Sequence, residues 1–399
     1  MRSAALTLTL LALGCQGAPA RDAPADGAIA EPLPGRWRAI AGLPATCGLR
    51  ASVGAPALPP LGWRPCASGR AGCVASVAAW GERGDPFRLR PGTFEAAYAD
   101  AAGLHVTYQR DVPREAYTLR VVETVPGGVD HALYVPRGAC GATLAASRHG
   151  VAAAIAVVEN GAPTPYLARW TAGGPAAATL AGRTGELVQR AAVGAGLVAL
   201  EVVTADGEVV TAAADAAPIA APRVPASQRP LPIADGFVAH VTSAPPRLRR
   251  VDGRGASAPL VTPAAGHGVV GFALDRARDD QLVWLEAAPG GGVTTLWTAA
   301  LPPPGQAATP RRIVALPATI GTPVANAGLV AVVESPALAR VVRLTDGASW
   351  TLPREPDLGW GYPLWVDADA AWLVASELGP DEPGFPADSA IVRVPLPPR

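Results

Sequence analysis

The chain has 399 residues, of which 49% are hydrophobic and 17% are charged, and its formal net charge is zero. The hydrophobic share excludes a disordered chain, because disordered chains lack enough apolar surface to bury. The zero net charge argues against a nucleic-acid-binding protein, which needs a basic surface. The length is sufficient for one large repeat domain or for two ordinary domains.

The first residues have the pattern of an export signal. A positive start is followed by an apolar run from Ala4 to Leu13, which is too short to span a bilayer and predicts a signal peptide over residues 1–14. The segment Leu-Ala-Leu-Gly-Cys that ends at Cys15 resembles a bacterial lipoprotein signal. The resemblance implies that Cys15 carries a lipid and becomes the mature N-terminus. The alternative is secretory cleavage after Ala20.

Residues 15–35 are rich in Ala, Pro and Gly, and we expect them to form a flexible tether between the lipid and a single domain over residues 36–399. The lipid is the only membrane attachment that we expect. Gln16 follows the cysteine, which by the sorting rule of enteric lipoproteins implies the outer membrane, facing the periplasm or the cell surface. Without the lipid, the protein would be periplasmic or secreted.

Four further cysteines agree with an oxidising compartment, where disulfides persist. Their three possible pairings are reduced by spacing, because the turn-rich segment between Cys66 and Cys73 allows these two residues to meet. We therefore predict a Cys66–Cys73 disulfide, which leaves Cys47 to pair with Cys140. No CxxC motif occurs and no histidine lies close to a cysteine, so we predict no metal site and no cofactor.

From about residue 70 onward the pattern indicates strands rather than helices. Apolar, β-branched runs alternate with turn residues, including the strong hairpin signal Asn160-Gly161. The runs recur every 40 to 47 residues, starting at Leu104, Val151, Leu197, Phe237, Leu282, Leu329 and Ala371. A repeat of this length with about four strands is typical of a β-propeller, whereas immunoglobulin-type sandwiches need units of about 100 residues.

The pattern resembles the WD40-like and TolB-like propellers of bacterial envelopes over most of residues 53–399. The likeness rests on repeat length and strand pattern, since the recurring Gly-His and Trp-Asp pairs of WD40 blades are absent. We predict an all-β fold with one propeller of seven blades, or eight if the runs from Cys73 to Phe87 form a short blade. The last blade lacks a strand, which we expect the N-terminus to supply from residues 36–40 or 49–53.

Few residues indicate chemistry. The five histidines are scattered without a metal or catalytic spacing, and no nucleophile elbow, phosphate loop or calcium loop occurs. The charged run Asp275–Asp280 lies between two apolar runs, and we interpret it as a solvated hairpin of mixed sign. These features favour a protein without catalytic activity.

Two long loops of the last blade are the best candidates for a binding surface. The loop before its first strand contains Arg354, Asp357, Trp360 and Tyr362. The loop between its second and third strands contains Asp381, Glu382 and Phe385. Both loops leave the same face of a propeller, and exposed aromatic rings beside charges are typical of recognition surfaces. The alternative is that Trp360 and Tyr362 pack under the junction between the blades.

The sequence therefore favours a monomeric, exported, lipid-anchored propeller that binds a protein or glycan of the cell envelope, with no role for nucleic acid. The alternative is an exported hydrolase or lyase, with a site assembled in the central channel from several blades. An enzyme would bring titratable groups from different blades into one pocket, whereas a scaffold would line the channel with small and apolar residues.

Overall fold

The computed structural model describes the chain over residues 36–56, 58, 63–65, 74–76, 94–111, 117–125, 127–136, 138, 140–214, 224–225, 230–241, 244–353, 358–377 and 389–397. The predictions for residues 1–35, including Cys15, and for Cys66 and Cys73 lie outside these residues. Within them the fold is all-β apart from one 3-10 turn at Ala45–Cys47, and it is the predicted β-propeller.

Four short strands precede the repeats. They are β1 (Trp37–Ala39), β2 (Arg50–Ser52), β3 (Trp63–Pro65) and β4 (Val74–Ser76).

The first three sheets follow in chain order, each an antiparallel meander. The first contains β5 (Phe94–Asp100), β6 (Gly103–Asp111), β7 (Tyr117–Val125) and β8 (Gly128–Pro136). The second contains β9 (Cys140–Ser147), β10 (Gly150–Glu159), β11 (Ala162–Thr171), β12 (Gly174–Pro175) and β13 (Thr179–Leu180). The third contains β14 (Leu187–Val193), β15 (Leu197–Thr204), β16 (Gly207–Ala214) and β17 (Val224–Pro225).

Three further meanders and a last group of strands complete the ring. The fourth sheet contains β18 (Leu231–Ile233), β19 (Gly236–Val241), β20 (Arg247–Asp252) and β21 (Ser257–Val261). The fifth contains β22 (Gly268–Leu274), β23 (Gln281–Ala287), β24 (Val293–Ala300) and β25 (Arg311–Pro317). The sixth contains β26 (Ile320–Asn326), β27 (Leu329–Ser335), β28 (Leu338–Arg343) and β29 (Ser349–Leu352). The last strands are β30 (Leu358–Val366), β31 (Ala370–Glu377) and β32 (Ser389–Pro395).

The blade count corrects the prediction of seven or eight. In the described residues, six blades are built from four or more consecutive strands of the chain. The remaining sheet is composite, because β30, β31 and β32 are completed by β4 and β3 from the N-terminal part. The ring thus has six continuous blades and one closing sheet that joins two distant parts of the chain.

An N-terminal strand closes the ring, as predicted, but it is not the expected one. Ala75 and Val74 of β4 pair with Val392 and Arg393 of β32. The segment around Trp37, which we expected at this position, instead forms β1 and β2 at the outer edge of the first sheet. Strands β1, β2 and β4 contain three residues each, so strand length did not indicate which of them would close the ring.

The inner strands are apolar on both faces because each sheet is covered by a neighbouring sheet on either side. In β10, Ala153 and Ile155 pack towards one core cluster while Ala152 and Ala154 pack towards another. The tight turn after β10 matches its sequence signal, with Asn160 and Gly161 at φ values of 53° and 80°. Small alanines on both faces allow the sheets to approach closely.

The Cys47–Cys140 disulfide confirms one predicted pairing. It links the 3-10 turn of the N-terminal segment to the start of β9 across a sequence separation of 93 residues. No helix in the described parts of the chain has the length and apolarity needed to cross a membrane.

Candidate functional site

The predicted binding residues divide into two groups. Arg354, Asp357, Asp381, Glu382 and Phe385 lie outside the described residues. Trp360 and Tyr362 are described, and both belong to β30, the innermost strand of the closing sheet.

Trp360 is not a surface ring. Its side chain is 2% exposed and belongs to the core cluster between the sixth sheet and the closing sheet, with Leu329 and Val341. Its backbone N–H donates to the carbonyl of Pro336 at 2.8 Å. The neighbouring Gly and charged residues suggested a loop, but β30 already begins at Leu358, and the ring points into the core. Trp360 therefore cannot serve as an exposed anchor.

Tyr362 is half-buried and joins two sheets. Its hydroxyl donates to the backbone carbonyl of Phe94 on β5, the innermost strand of the first sheet. A β-bulge between Trp360 and Tyr362 separates the directions of these two side chains. Tyr362 thus contributes to ring closure beside the channel.

The strand ends that flank the two predicted loops lie side by side. Leu358, which follows the first loop, pairs with Glu377, which precedes the second. Ser376 pairs with Ser389, where the chain returns after the second loop. The topology therefore brings the end of the first loop and both ends of the second loop together at one face of the ring.

The opposite face contains the hairpins that join the first and second strands of each sheet. Because neighbouring strands are antiparallel, all these hairpins lie at the same face, which we call the hairpin face. In the fifth sheet this connection spans residues 275–280, between β22 and β23. We call it the channel-crossing hairpin, for the reasons that follow.

The base of the channel-crossing hairpin is fixed to the sixth sheet by a buried carboxylate. Asp275 is fully buried. Its Oδ1 accepts the N–H of Ala327 at 2.9 Å and that of Ala277 at 3.0 Å, and its Oδ2 accepts the N–H of Gly328 at 2.7 Å. Asp275 also forms a parallel bridge with Ala325. Backbone N–H groups hold this charge in place of water.

Arg276 extends from this base to two other sheets. Its guanidinium donates to the carbonyl of Ala97 on β5. The guanidinium carbon also lies 5.5 Å from the centre of the Trp365 ring on β30, a distance that allows a cation–π contact. The innermost strand of a propeller blade has one unpaired edge, so its carbonyls are available to such a donor.

The tip of the hairpin reaches the second sheet, on the far side of the ring. Arg148 lies in the turn between β9 and β10 and donates to the carboxylate of Asp279 and, at 3.0 Å, to the carbonyl of Arg276. The Nε2 atom of His149 lies 3.4 Å from Asp279 Oδ2. The side chains of Arg148 and Asp279 are 42% and 36% exposed.

Together these contacts cross the axis of the propeller at the hairpin face. The hairpin starts on the fifth sheet and binds residues of the first, second, sixth and closing sheets. It therefore covers the channel at this face. Our interpretation of residues 275–280 as a hairpin is correct, and Arg278 and Asp280 face solvent as expected. Its base at Asp275 is buried instead, and Arg276 and Asp279 contact other sheets across the channel.

A second polar cluster lies within the first sheet, at the same face. His105 is 7% exposed, and its two ring nitrogens each face a carboxylate, with Nε2 2.9 Å from Asp100 Oδ1 and Nδ1 3.1 Å from Asp130 Oδ2. Thr124 donates its hydroxyl to Asp130 at 2.6 Å. The ring of Tyr98 stacks on His105 with centroids 4.5 Å apart.

The carboxylates favour the charged form of the imidazole. The hydrogen bond to Asp130, helped by that to Asp100, raises the pKa of His105 against the opposing effect of burial. The hydrogen bond from His105 lowers the pKa of Asp100. Burial, together with the two nearby carboxylates, raises the pKa of Tyr98 to about 12. Burial lowers the pKa of the adjacent His131.

This cluster is built for charge pairing. With both nitrogens protonated and donating, His105 has no lone pair with which to act as a base. All its members belong to one sheet, so it is not the convergence of separate blades that a channel enzyme requires. Among the described residues, no group of three or more His, Cys, Asp or Glu side chains is arranged to hold a metal ion.

No protein-family model matches the chain, and no curated protein matches it. Among solved structures, Hsv2 of Kluyveromyces lactis with loop 6CD replaced by a Gly-Ser linker is 10% identical, with a TM-score of 0.46 over 71% of this chain and 88% of that one. A prolyl endopeptidase structure is 12% identical, with a TM-score of 0.45 over 75% of this chain and 48% of that one. Prolyl oligopeptidase B from Galerina marginata is 10% identical, with a TM-score of 0.41 over 57% of this chain and 39% of that one. We infer no function from these similarities.

Proposed function

We propose that this protein is an exported, lipid-anchored β-propeller that binds a protein or glycan partner at the cell envelope. The observation that carries the proposal is the channel-crossing hairpin over residues 275–280, which covers the channel at the hairpin face. A partner would therefore bind at the opposite face, where the strand ends that flank the two loops lie. The partner surface in this proposal consists of Arg354, Asp357, Asp381, Glu382 and Phe385.

The state of the charged groups favours binding over catalysis. Arg148, Arg276 and Asp279 come from different sheets, but they bind one another and backbone carbonyls. A hydrolase or lyase in the channel would need an acid or base that is open to substrate. The paired groups serve instead to hold the ring closed.

Export is supported by the disulfide. Cys47–Cys140 is compatible with an exported protein, because disulfides persist in oxidising compartments and are rare in the cytosol. Under the proposal, Cys15 carries the lipid that attaches the propeller to the outer membrane, and the protein acts as a monomer.

The first experiment tests the binding face. Purified parent protein and the Phe385→Ala variant would be compared on an array of envelope glycans and by chemical crosslinking in intact cells. Aromatic anchors dominate interface energies, so we expect Phe385→Ala to weaken the affinity for the partner about thirtyfold. Leu180→Ala is the matched control, since Leu180 is 47% exposed and belongs to the second sheet, which neither loop joins. A partner that binds both variants equally would overturn the assignment of this face.

The second experiment tests the anchor. The parent should incorporate labelled palmitate and partition into detergent, and Cys15→Ser should lose both properties. A native protein that is released in soluble form and begins at Arg21 would instead establish secretory cleavage. The two experiments are independent, because the binding face can be tested on protein that lacks the lipid.

A further inference from the structure

A concave pocket of about 450 Å3 lies at the hairpin face between the fifth and sixth sheets. Its side-chain donors are Arg278, Gln281 and Arg311, and its remaining walls are formed by the turns Ala327–Gly328 and Leu344–Thr345. We call it the arginine pocket. It lies at the face opposite to the proposed partner surface, so the two sites are separate.

Arg311 brings a positive charge that no acid neutralises within the described residues. Its Nη2 donates to the carbonyl of Leu344 at 2.7 Å, and its Nη1 lies 3.5 Å from the carbonyl of Thr345. No acidic side chain in the described residues forms an ion pair with it. Backbone carbonyls orient the guanidinium, but they do not cancel its charge.

Arg278 brings a second charge that is only weakly paired. Its Nε lies 3.6 Å from Asp280 Oδ1, beyond hydrogen-bonding distance, and the two side chains are 64% and 65% exposed. An exposed pair of this kind contributes little, because water and salt screen both charges. The guanidinium of Arg278 is therefore available to a ligand in the pocket.

The walls of the pocket are preorganised. The N–H groups of Ala327 and Gly328 are held by the buried Asp275 carboxylate, and the N–H of Leu344 donates to the carbonyl of Gly328 at 2.8 Å. Gln281 is held by a 3.0 Å hydrogen bond from its amide to Thr298. A ligand would consequently bind to a surface whose backbone is already ordered.

We propose that the arginine pocket binds a small oxyanion, a phosphate or carboxylate group, between Arg278 and Arg311. Guanidinium groups present planar pairs of N–H donors that match the oxygen spacing of both anions. The volume is sufficient for a small molecule that carries such a group. Because Arg278 belongs to the channel-crossing hairpin and Arg311 to β25, the ligand would also tie the hairpin to the rim of the fifth sheet.

Calorimetric titration tests this proposal with inorganic phosphate and with citrate as probes, at constant chloride. We expect saturable binding of at least one probe at a single site. Arg311→Ala should raise the dissociation constant of that probe about tenfold or more, the effect of losing charged hydrogen bonds. Arg312→Ala is the matched control, because Arg312 is the next residue of the same strand and does not line the pocket. Binding of phosphate alone would identify a phosphorylated ligand, and binding of citrate alone a carboxylate ligand.

A second variant and a second measurement guard against misfolding of Arg311→Ala. Arg278→Ala removes an exposed side chain and should weaken binding to a similar degree. Bound anion should also slow amide hydrogen exchange in residues 276–280 of the parent and leave the exchange of Arg278→Ala unchanged. The proposal is overturned if neither probe binds up to about 10 mM, or if Arg312→Ala weakens binding as much as Arg278→Ala and Arg311→Ala.

Discussion

Two hairpins occupy equivalent positions in the ring and use their charges differently. The hairpin of the first sheet, Asp100–Gly103, turns through two alanines, and its acid binds His105 of the same sheet. The channel-crossing hairpin of the fifth sheet is longer, and its residues Asp275, Arg276 and Asp279 together bind residues of four other sheets.

The difference shows that hairpin length and side-chain reach together decide what the charges stabilise. The turn at Asp100–Gly103 has only alanines at its centre, and Asp100 contacts His105 of its own sheet, so this acid strengthens the pairing of β5 with β6. Residues 275–280 extend far enough to reach Arg148 on the opposite side of the channel. The short hairpin therefore stabilises one blade, and the long hairpin stabilises the closed ring.

The largest effect should come from Asp275→Ala. It leaves the N–H groups of Ala327 and Gly328 without their acceptor in a buried position, and we expect a loss of about 3 kcal/mol or more in the free energy of unfolding. Denaturant unfolding measures this loss. Asp100→Ala is the comparison within the short hairpin and should cost less, because Asp100 is exposed and water can replace it. Equal losses would contradict the distinction between the two hairpins.

Arg276→Ala should have the next largest effect. It removes the donor to the Ala97 carbonyl and the contact with Trp365, and we expect a loss of about 1–2 kcal/mol. Arg254→Ala is the matched control, since Arg254 is an exposed arginine in a hairpin of the fourth sheet. A loss no larger than that of the control would mean that closure of the channel does not contribute to stability.

The propeller fold could be predicted because each blade has local signals. The apolar run of β10, the Asn160-Gly161 turn and the regular spacing are all contained within one repeat. The Cys47–Cys140 pairing could also be predicted, since the close spacing of Cys66 and Cys73 left few alternatives.

The contacts that join distant sheets have no local signal in the sequence. The partner of Asp279 is Arg148, more than a hundred residues away, and nothing near either residue indicates the contact. The Gly, Pro and charged residues that precede Trp360 left both a surface position and packing under the blade junction open, and the ring lies in the core cluster beside the sixth sheet. Choosing β4 over β1 as the closing strand likewise depends on the path of the whole ring.

The short hairpin should show its own pH dependence. The raised pKa of His105 means that its stabilising contribution is complete below the unfolded value of about 6.5 and is lost as the pH rises through the folded value. At low pH the stabilisation by this cluster decreases again, because Asp100 and Asp130 become protonated as the pH falls through their lowered pKa values. The stability difference between the parent and His105→Gln should thus be largest between about pH 4 and pH 6.5.

The free energies of unfolding of the parent and of His105→Gln must be subtracted at each pH, because His131 changes the stability with pH in the opposite direction to His105. Burial lowers the pKa of His131, so its contribution favours the folded state only as the pH rises. His131 is present in both proteins and cancels to first order. A difference that stays constant from pH 5 to about pH 9 would contradict a charged His105. Titration of Tyr98 near pH 12 would provide an independent check on the same cluster.

The smallest effect should come from Arg148→Gln, which removes the ion pair with Asp279 at the tip of the long hairpin. The contact with Asp279 is an ion pair between side chains that are more than one third exposed, and such pairs contribute less than about 1 kcal/mol. Glutamine keeps an amide donor near the Arg276 carbonyl but removes the charge. We expect the loss of stability to be measurable at about 0.05 M salt and to disappear at about 1 M, where screening acts over a few ångströms. A loss that persists at high salt would show that the tip is held by packing and backbone contacts, so that hairpin length alone, without complementary charges, suffices to cross the channel.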